Sequence, residues 1–216
     1  MIRNCLFITI TFLFFTSCKE GPNEVTELSP VANSKMVHLK LIDTLGTVVM
    51  AVPVRYDTSF VWVDYSDCGA PCQSQVYRYQ PKDLPIIKES GWFWPFPTDS
   101  VERFTIKHSK YFYPRNGADT VRDLEQHQHL IDVLKSERLN VHIVFDTIEK
   151  INDRYYSIIE MERSDTVRSK EVLAMTKLHD NQIYFKYELL TKKDDSITKN
   201  FIKNSLDLIR TIRFGL

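Results

Sequence analysis

Glycine is scarce, with six residues in 216, and neither G-x-x-x-x-G-K-[ST] nor G-x-G-x-x-G occurs. Those loops cradle phosphate on backbone N–H groups, so nucleotide hydrolysis and dinucleotide chemistry are poor readings of this chain. Net charge is lacking too, since 28 Lys and Arg balance 28 Asp and Glu. No global field steers the protein toward nucleic acid, which is not an expected partner. Also missing are G-x-S-x-G, H-E-x-x-H and an S-x-x-K in a suitable setting. His38, His108, His142 and His179 are scattered, with no cysteine or carboxylate at ligand spacing. No activated nucleophile, metal site or cofactor is predicted, and the expectation is a protein that is not an enzyme. Long apolar runs are absent beyond residue 17, which sets aside a multi-span membrane protein.

What is present begins with an address. One positive charge at Arg3, the apolar run Cys5–Phe15 and the small residues Thr16–Ser17 have the layout of a secretory signal peptide over residues 1–17. The run is shorter than the roughly 20 apolar residues that span a bilayer. The exit Phe15-Thr16-Ser17-Cys18 resembles the lipobox of bacterial lipoproteins, with phenylalanine where leucine is usual. That resemblance implies lipidation of Cys18. A single acyl chain contributes about 0.8 kcal/mol per buried methylene and holds only marginally, whereas several chains anchor firmly. Removing residues 1–17 takes away Arg3 alone among the charges, leaving 27 basic against 28 acidic residues. Attachment to the membrane therefore rests on lipid. Residues 18–35 are polar, carry Pro22 and Pro30 and show no period, which predicts a flexible tether. Lys19-Glu20 slightly resembles the charged export tags on surface lipoproteins of Bacteroidota-like bacteria. The implied place is the cell envelope, anchored to the outer or cytoplasmic membrane and facing the periplasm or the cell surface.

Residues 36–216 fit one domain with one core. Strands are predicted at 37–42, 47–56, 59–65, 75–79 and 101–108; in the last, Glu102, Phe104, Ile106 and His108 alternate with Val101, Arg103, Thr105 and Lys107. Period then changes: Val121, Leu124, Gln128, Ile131 and Leu134 recur at helical spacing, with Thr120 and Asp123 as a capping box. Four strands follow at 141–148, 155–162, 166–177 and 182–191, separated by short polar turns that force antiparallel neighbours. A helix after Asp194-Asp195-Ser196 and a short strand at 211–214 close the chain. The predicted fold is α+β, an antiparallel meander flanked by two helices. The order of elements resembles the PsbP-like α/β/α sandwich, best over residues 140–216, and implies a binding or accessory role rather than catalysis.

Asp67-Cys68-Gly69-Ala70-Pro71-Cys72-Gln73 follows the apolar strand and most simply forms a Cys68–Cys72 disulfide in an exported protein. Closing so short a loop contributes about 2 kcal/mol on the chain-entropy estimate. The pair also resembles thioredoxin-like proteins and Sco-type copper chaperones, which implies thiol redox or copper handling. Those families follow the cysteines with a helix, where Gln73–Gln80 alternates like a strand. Gly91-Trp92-Phe93-Trp94-Pro95-Phe96-Pro97 is an aromatic loop, echoed by Tyr111-Phe112-Tyr113-Pro114. Trp92, Phe93, Trp94 and Phe96 are candidate contacts for an envelope protein partner, with glycan or bilayer contact and simple packing over the sheet as the other readings. His127-Gln128-His129 is expected on a solvated helix face, since a spacing of two points the rings apart.

Overall fold

The computed structural model describes residues 29–42, 45–90, 100–110, 124–137, 141–164, 168–215. The fold is α+β and dominated by antiparallel sheet. Two strands open it, β1 (Ser34–Lys40) and β2 (Thr47–Pro53), and β3 (Thr58–Asp64) and β4 (Ser74–Gln80) form the next hairpin. After β5 (Val101–Ser109) comes the helix α1 (Leu124–Glu137). The meander is β6 (Val141–Ile151), β7 (Arg154–Ser164), β8 (Arg168–Leu178) and β9 (Asn181–Thr191). The helix α2 (Ser196–Ile209) leads to β10 (Arg213–Gly215).

Seven strands form one sheet in the order β3-β4-β5-β9-β8-β7-β6, and β1-β2-β10 form a second. The two halves of the large sheet are joined where β5 pairs with β9, Phe104 opposite Tyr187 and Ile106 opposite Phe185. Side chains alternate across the pleat. One face therefore carries Tyr77, Ile106, Phe185, Ala174 and Ile158 in a continuous cross-strand row. This face, the small sheet and the inner side of α2 share the main core, in which Val48, Ile106, Ile158, Phe185 and Ile209 are fully buried. Phe104 stacks on Tyr187 with ring centroids 4.2 Å apart. The strand alternation expected at 101–108 is present, with Phe104, Ile106 and His108 buried.

The opposite, outer face carries Arg78, Thr105, Lys186, Leu173, Ile159 and Asp146 in register. At the β7–β8 end it is apolar and is covered by α1, whose Ile131 and Leu134 pack on Ile159, Met161 and Leu173. At the β4–β5 end it is charged. Residues 81–90 leave β4 and return over that charged half, where they meet Trp62 and Arg78.

α2 starts at an aspartate cap, as expected from Asp194-Asp195-Ser196. Asp195 accepts from the Thr198 N–H at 3.0 Å, which satisfies one of the orphan donors of the first turn. α1 departs from expectation. Ile131 and Leu134 are buried as predicted, but Gln128 is exposed and His127 points inward in its place. Thr120, Val121 and Asp123 lie outside the described residues.

Candidate functional site

The charged half of the outer face is an ion network built on three central strands. Arg78 of β4, with 3% of its side chain exposed, donates to both carboxylate oxygens of Glu89 at 3.1 and 3.0 Å. It also donates to the Ile87 carbonyl at 2.7 Å and to Thr105 Oγ1 at 3.2 Å. Arg103 of β5 donates to Glu89 at 3.0 Å and through Nε to Glu188 of β9 at 2.7 Å. Lys186 approaches the same Glu188 at 2.9 Å. Trp62 closes the network: its indole N–H donates to the Glu89 carbonyl at 2.8 Å, and the Arg78 guanidinium lies over its ring at 4.7 Å. Such a cation over an aromatic face adds about 0.5–2 kcal/mol.

The titration of these groups follows from their burial and neighbours. Burial, then the Arg103 charge, pull Arg78 below its ordinary value, and Glu89 and Glu188 offset them in part. Burial pulls Arg103 the same way, but Glu188 and Glu89 outweigh it and the net direction is upward. Glu188 would be raised by burial, yet Lys186 and Arg103 hold it well below the usual carboxylate range. Through Ile87 and Glu89 the network pins residues 87–89 onto β4 and β5.

A second polar cluster joins α1 to the sheet. His127, expected on a solvated face, is 6% exposed and lies between two partners. Its Nδ1 meets Ser157 Oγ at 2.5 Å and its Nε2 meets Asp146 at 2.9 Å. A carboxylate only accepts, so Nε2–H donates to Asp146, and in the neutral ring Nδ1 accepts from the Ser157 hydroxyl. The composition is that of a hydrolytic triad, but the geometry is not. Ser157 is 0% exposed, so its oxygen cannot reach a substrate carbonyl, and the Asp146 side chain is the more exposed end at 43%. The cluster is a strut between helix and sheet. The reason for the misreading is topological: only once β6 and β7 are paired do Asp146 and Ser157 flank one helical position.

His108 is buried on the inner face. Its Nδ1–H donates to the Ser109 carbonyl at 2.7 Å and its Nε2 faces the Tyr77 hydroxyl at 3.4 Å. Burial holds the imidazole below its ordinary value, and the bond to Ser109 only partly opposes it. Burial likewise pushes Tyr77 up to about 12.

Cys68 and Cys72 face each other at bonding distance across a short 3-10 turn, Ala70–Cys72, with Cα atoms 5.9 Å apart. Gly69 takes φ 91°, a left-handed conformation that glycine adopts without the Cβ penalty. The whole turn is exposed. As expected, Ser74–Gln80 is a strand rather than a helix, so no helix follows the cysteine pair directly. Among the described residues, no group of three His, Cys, Asp or Glu side chains is placed to hold a metal ion. Cys18, Trp92, Phe93, Trp94 and Phe96 lie outside the described residues. Among those described, no helix is long and apolar enough to cross a membrane.

A groove of about 860 Å³ runs between α2, the segment 30–34 and the turn after β2. Tyr56 and Tyr187, each 1% exposed, lie at its floor. Burial, followed by the Glu102 charge, pushes the Tyr56 hydroxyl well above its ordinary value. The sequence reading missed this groove and the arginine network alike. One signal was available for the network, since Arg78 interrupts the aromatic alternation of Tyr77 and Tyr79 in a central strand, where an unpaired charge is too costly to bury. No protein-family model matches the chain, and no curated protein is detectably similar to it.

Proposed function

We propose that the protein is a lipid-anchored lipoprotein of the cell envelope with a non-catalytic binding or assembly role. Cys18 carries the acyl chains, residues 18–35 span from membrane to domain, and the PsbP-like order of elements supplies the scaffold. The aromatic segment containing Trp92, Phe93, Trp94 and Phe96 is the contact surface for an envelope partner. The Cys68–Cys72 bridge braces the neighbouring β3–β4 hairpin.

The observation that supports this reading is the fixing of Glu89, two residues before Gly91, by Arg78, Arg103 and Trp62. On the far side of the aromatic segment, Glu102 is paired with Arg55 at the start of β5. A recognition loop gains affinity when its ends are held, because less conformational freedom is lost on binding. A buried Arg78 and a half-buried Arg103 on one loop anchor are hard to explain by stability alone, since apolar residues would fill the same volume at lower desolvation cost.

The test is in-cell photocrosslinking from position 92 or 94, followed by mass spectrometry of the captured species. A single envelope protein captured from both positions is the expected result. Capture of glycan alone would transfer the role to saccharide binding, and no capture from either position would remove the segment as a contact surface. Thiol redox or copper handling, the competing chemistry at Cys68 and Cys72, requires a reactive thiol in the purified mature protein.

A further inference from the structure

The groove along α2 has a chemistry of its own. On the helix side, Asn200, Asn204 and Asp207 line it at spacings of four and three, one stripe of a helical surface. Asn33 and Asn152 line it from the opposite wall. Val31, Pro53 and Ile197 supply an apolar edge. At 1.5 Å per residue the fourteen residues of α2 give the groove a length of about 21 Å.

Its charge is closed on itself. Arg210 donates to Glu149 at 2.8 and 3.1 Å and also feels Asp207 and Glu160. Arg55 pairs with Glu102, and Lys203 lies 3.9 Å from Asp207. Among the described residues, Asp207 is the one carboxylate of the lining, and Glu102 and Glu149, just outside it, compensate Arg55 and Arg210. A phosphate or sulfate would have to draw Arg55, Lys203 or Arg210 away from a carboxylate it already pairs with. An extended peptide would seek a strand edge for its backbone, and the strands β1, β2 and β10 reach the groove only with their end residues Ser34, Pro53 and Arg213.

We infer that the groove binds a neutral oligosaccharide lying along α2. A sugar hydroxyl donates and accepts at once, so it is satisfied where donors and acceptors alternate. Asparagine amides and ion-paired Arg–carboxylate couples offer both within one side chain or one pair. Asn200 spends its Nδ2 on the Ser196 carbonyl at 2.9 Å and Asn152 spends its own on the Ile212 carbonyl at 2.7 Å. Both amides are thereby held in a fixed orientation with Oδ1 as acceptor. The C–H faces of pyranose rings meet Val31, Pro53 and Ile197. The inference draws on described residues alone and rests on none of the aromatic segment's side chains.

The test is hydrogen–deuterium exchange on the mature full-length protein with maltotetraose, cellotetraose and chitotetraose, with dihexanoyl phosphatidylglycerol and an alanine hexapeptide as contrasting probes. At least one tetrasaccharide slows exchange over residues 196–213. Asn200→Leu and Asn204→Leu, on exposed positions of α2, each weaken that effect about tenfold, the worth of one hydrogen-bonding side chain. The double variant Trp92→Ala/Trp94→Ala leaves it unchanged. The inference is overturned if no tetrasaccharide protects the segment, or if only the phospholipid or the peptide does. Saccharide protection that vanishes in the tryptophan variant and survives in the asparagine variants overturns it as well.

Discussion

Replacing Glu89 with glutamine keeps the shape of the side chain and removes one charge from the middle of the arginine network. In the native protein Glu89 accepts three bonds, at 3.1, 3.0 and 3.0 Å. In the variant one oxygen becomes an NH2 group that faces donors, and Arg78 and Arg103 are left to repel each other at 3% and 13% exposure. Removing one partner of a buried ion pair costs about 3–5 kcal/mol. Glu89 is 19% exposed, so solvent screens part of that, and about 2–3 kcal/mol is expected. For a domain of this size each kcal/mol lowers Tm by about 2–4 °C, giving a drop of about 4–12 °C. The assay is urea and thermal unfolding of the wild-type and Glu89→Gln proteins at neutral pH, in low and in 1 M salt. A loss below about 0.5 kcal/mol, the range of ordinary surface substitutions, refutes the reasoning. So does a loss that disappears in 1 M salt, because a screened pair is not a buried one.

His108 makes stability depend on acidity. Its folded-state value is depressed by burial, so below the ordinary histidine range the unfolded chain binds a proton that the folded chain refuses. Its contribution is full above about pH 6.5 and is lost progressively as the pH falls toward the depressed value, and urea midpoints of His108→Gln between pH 7.5 and 5 should show a flatter decline than wild type. Lipid anchoring is read by metabolic labelling: Cys18→Ala should abolish incorporation of radiolabelled palmitate and release the domain from the membrane fraction, and labelling that persists would move the acylation elsewhere.

What could be read from the sequence was local. Alternation placed Phe104, Ile106 and His108 on one face of β5, and Asp195 announced the start of α2, because both signals concern residues within a turn or a pleat of each other. The helical period likewise found Ile131 and Leu134. Gln128 and His127 were exchanged because helical spacing does not decide between two polar neighbours, and what draws His127 inward is a hydroxyl and a carboxylate from two later strands. The second sheet escaped for the same reason, since Arg213 finds Val49 only through the finished fold. No pattern in the sequence singles out Glu89, because Arg78 and Arg103 come side by side only when β4 and β5 pair.

The small sheet sets an order of events for the chain's own birth. Its hairpin of β1 and β2 leaves the ribosome early, while its third strand follows α2, and the Ala51 amide waits for a Thr211 hydroxyl 160 residues downstream. Val48 and Ala51, among the most deeply enclosed side chains, therefore stay uncovered on one flank until synthesis is almost complete. Long-range closure of this kind slows folding and lengthens exposure to proteases. A nascent chain cut short after Ile209 would lack both β10 and the Thr211 hydroxyl, and so the lock on its oldest strands.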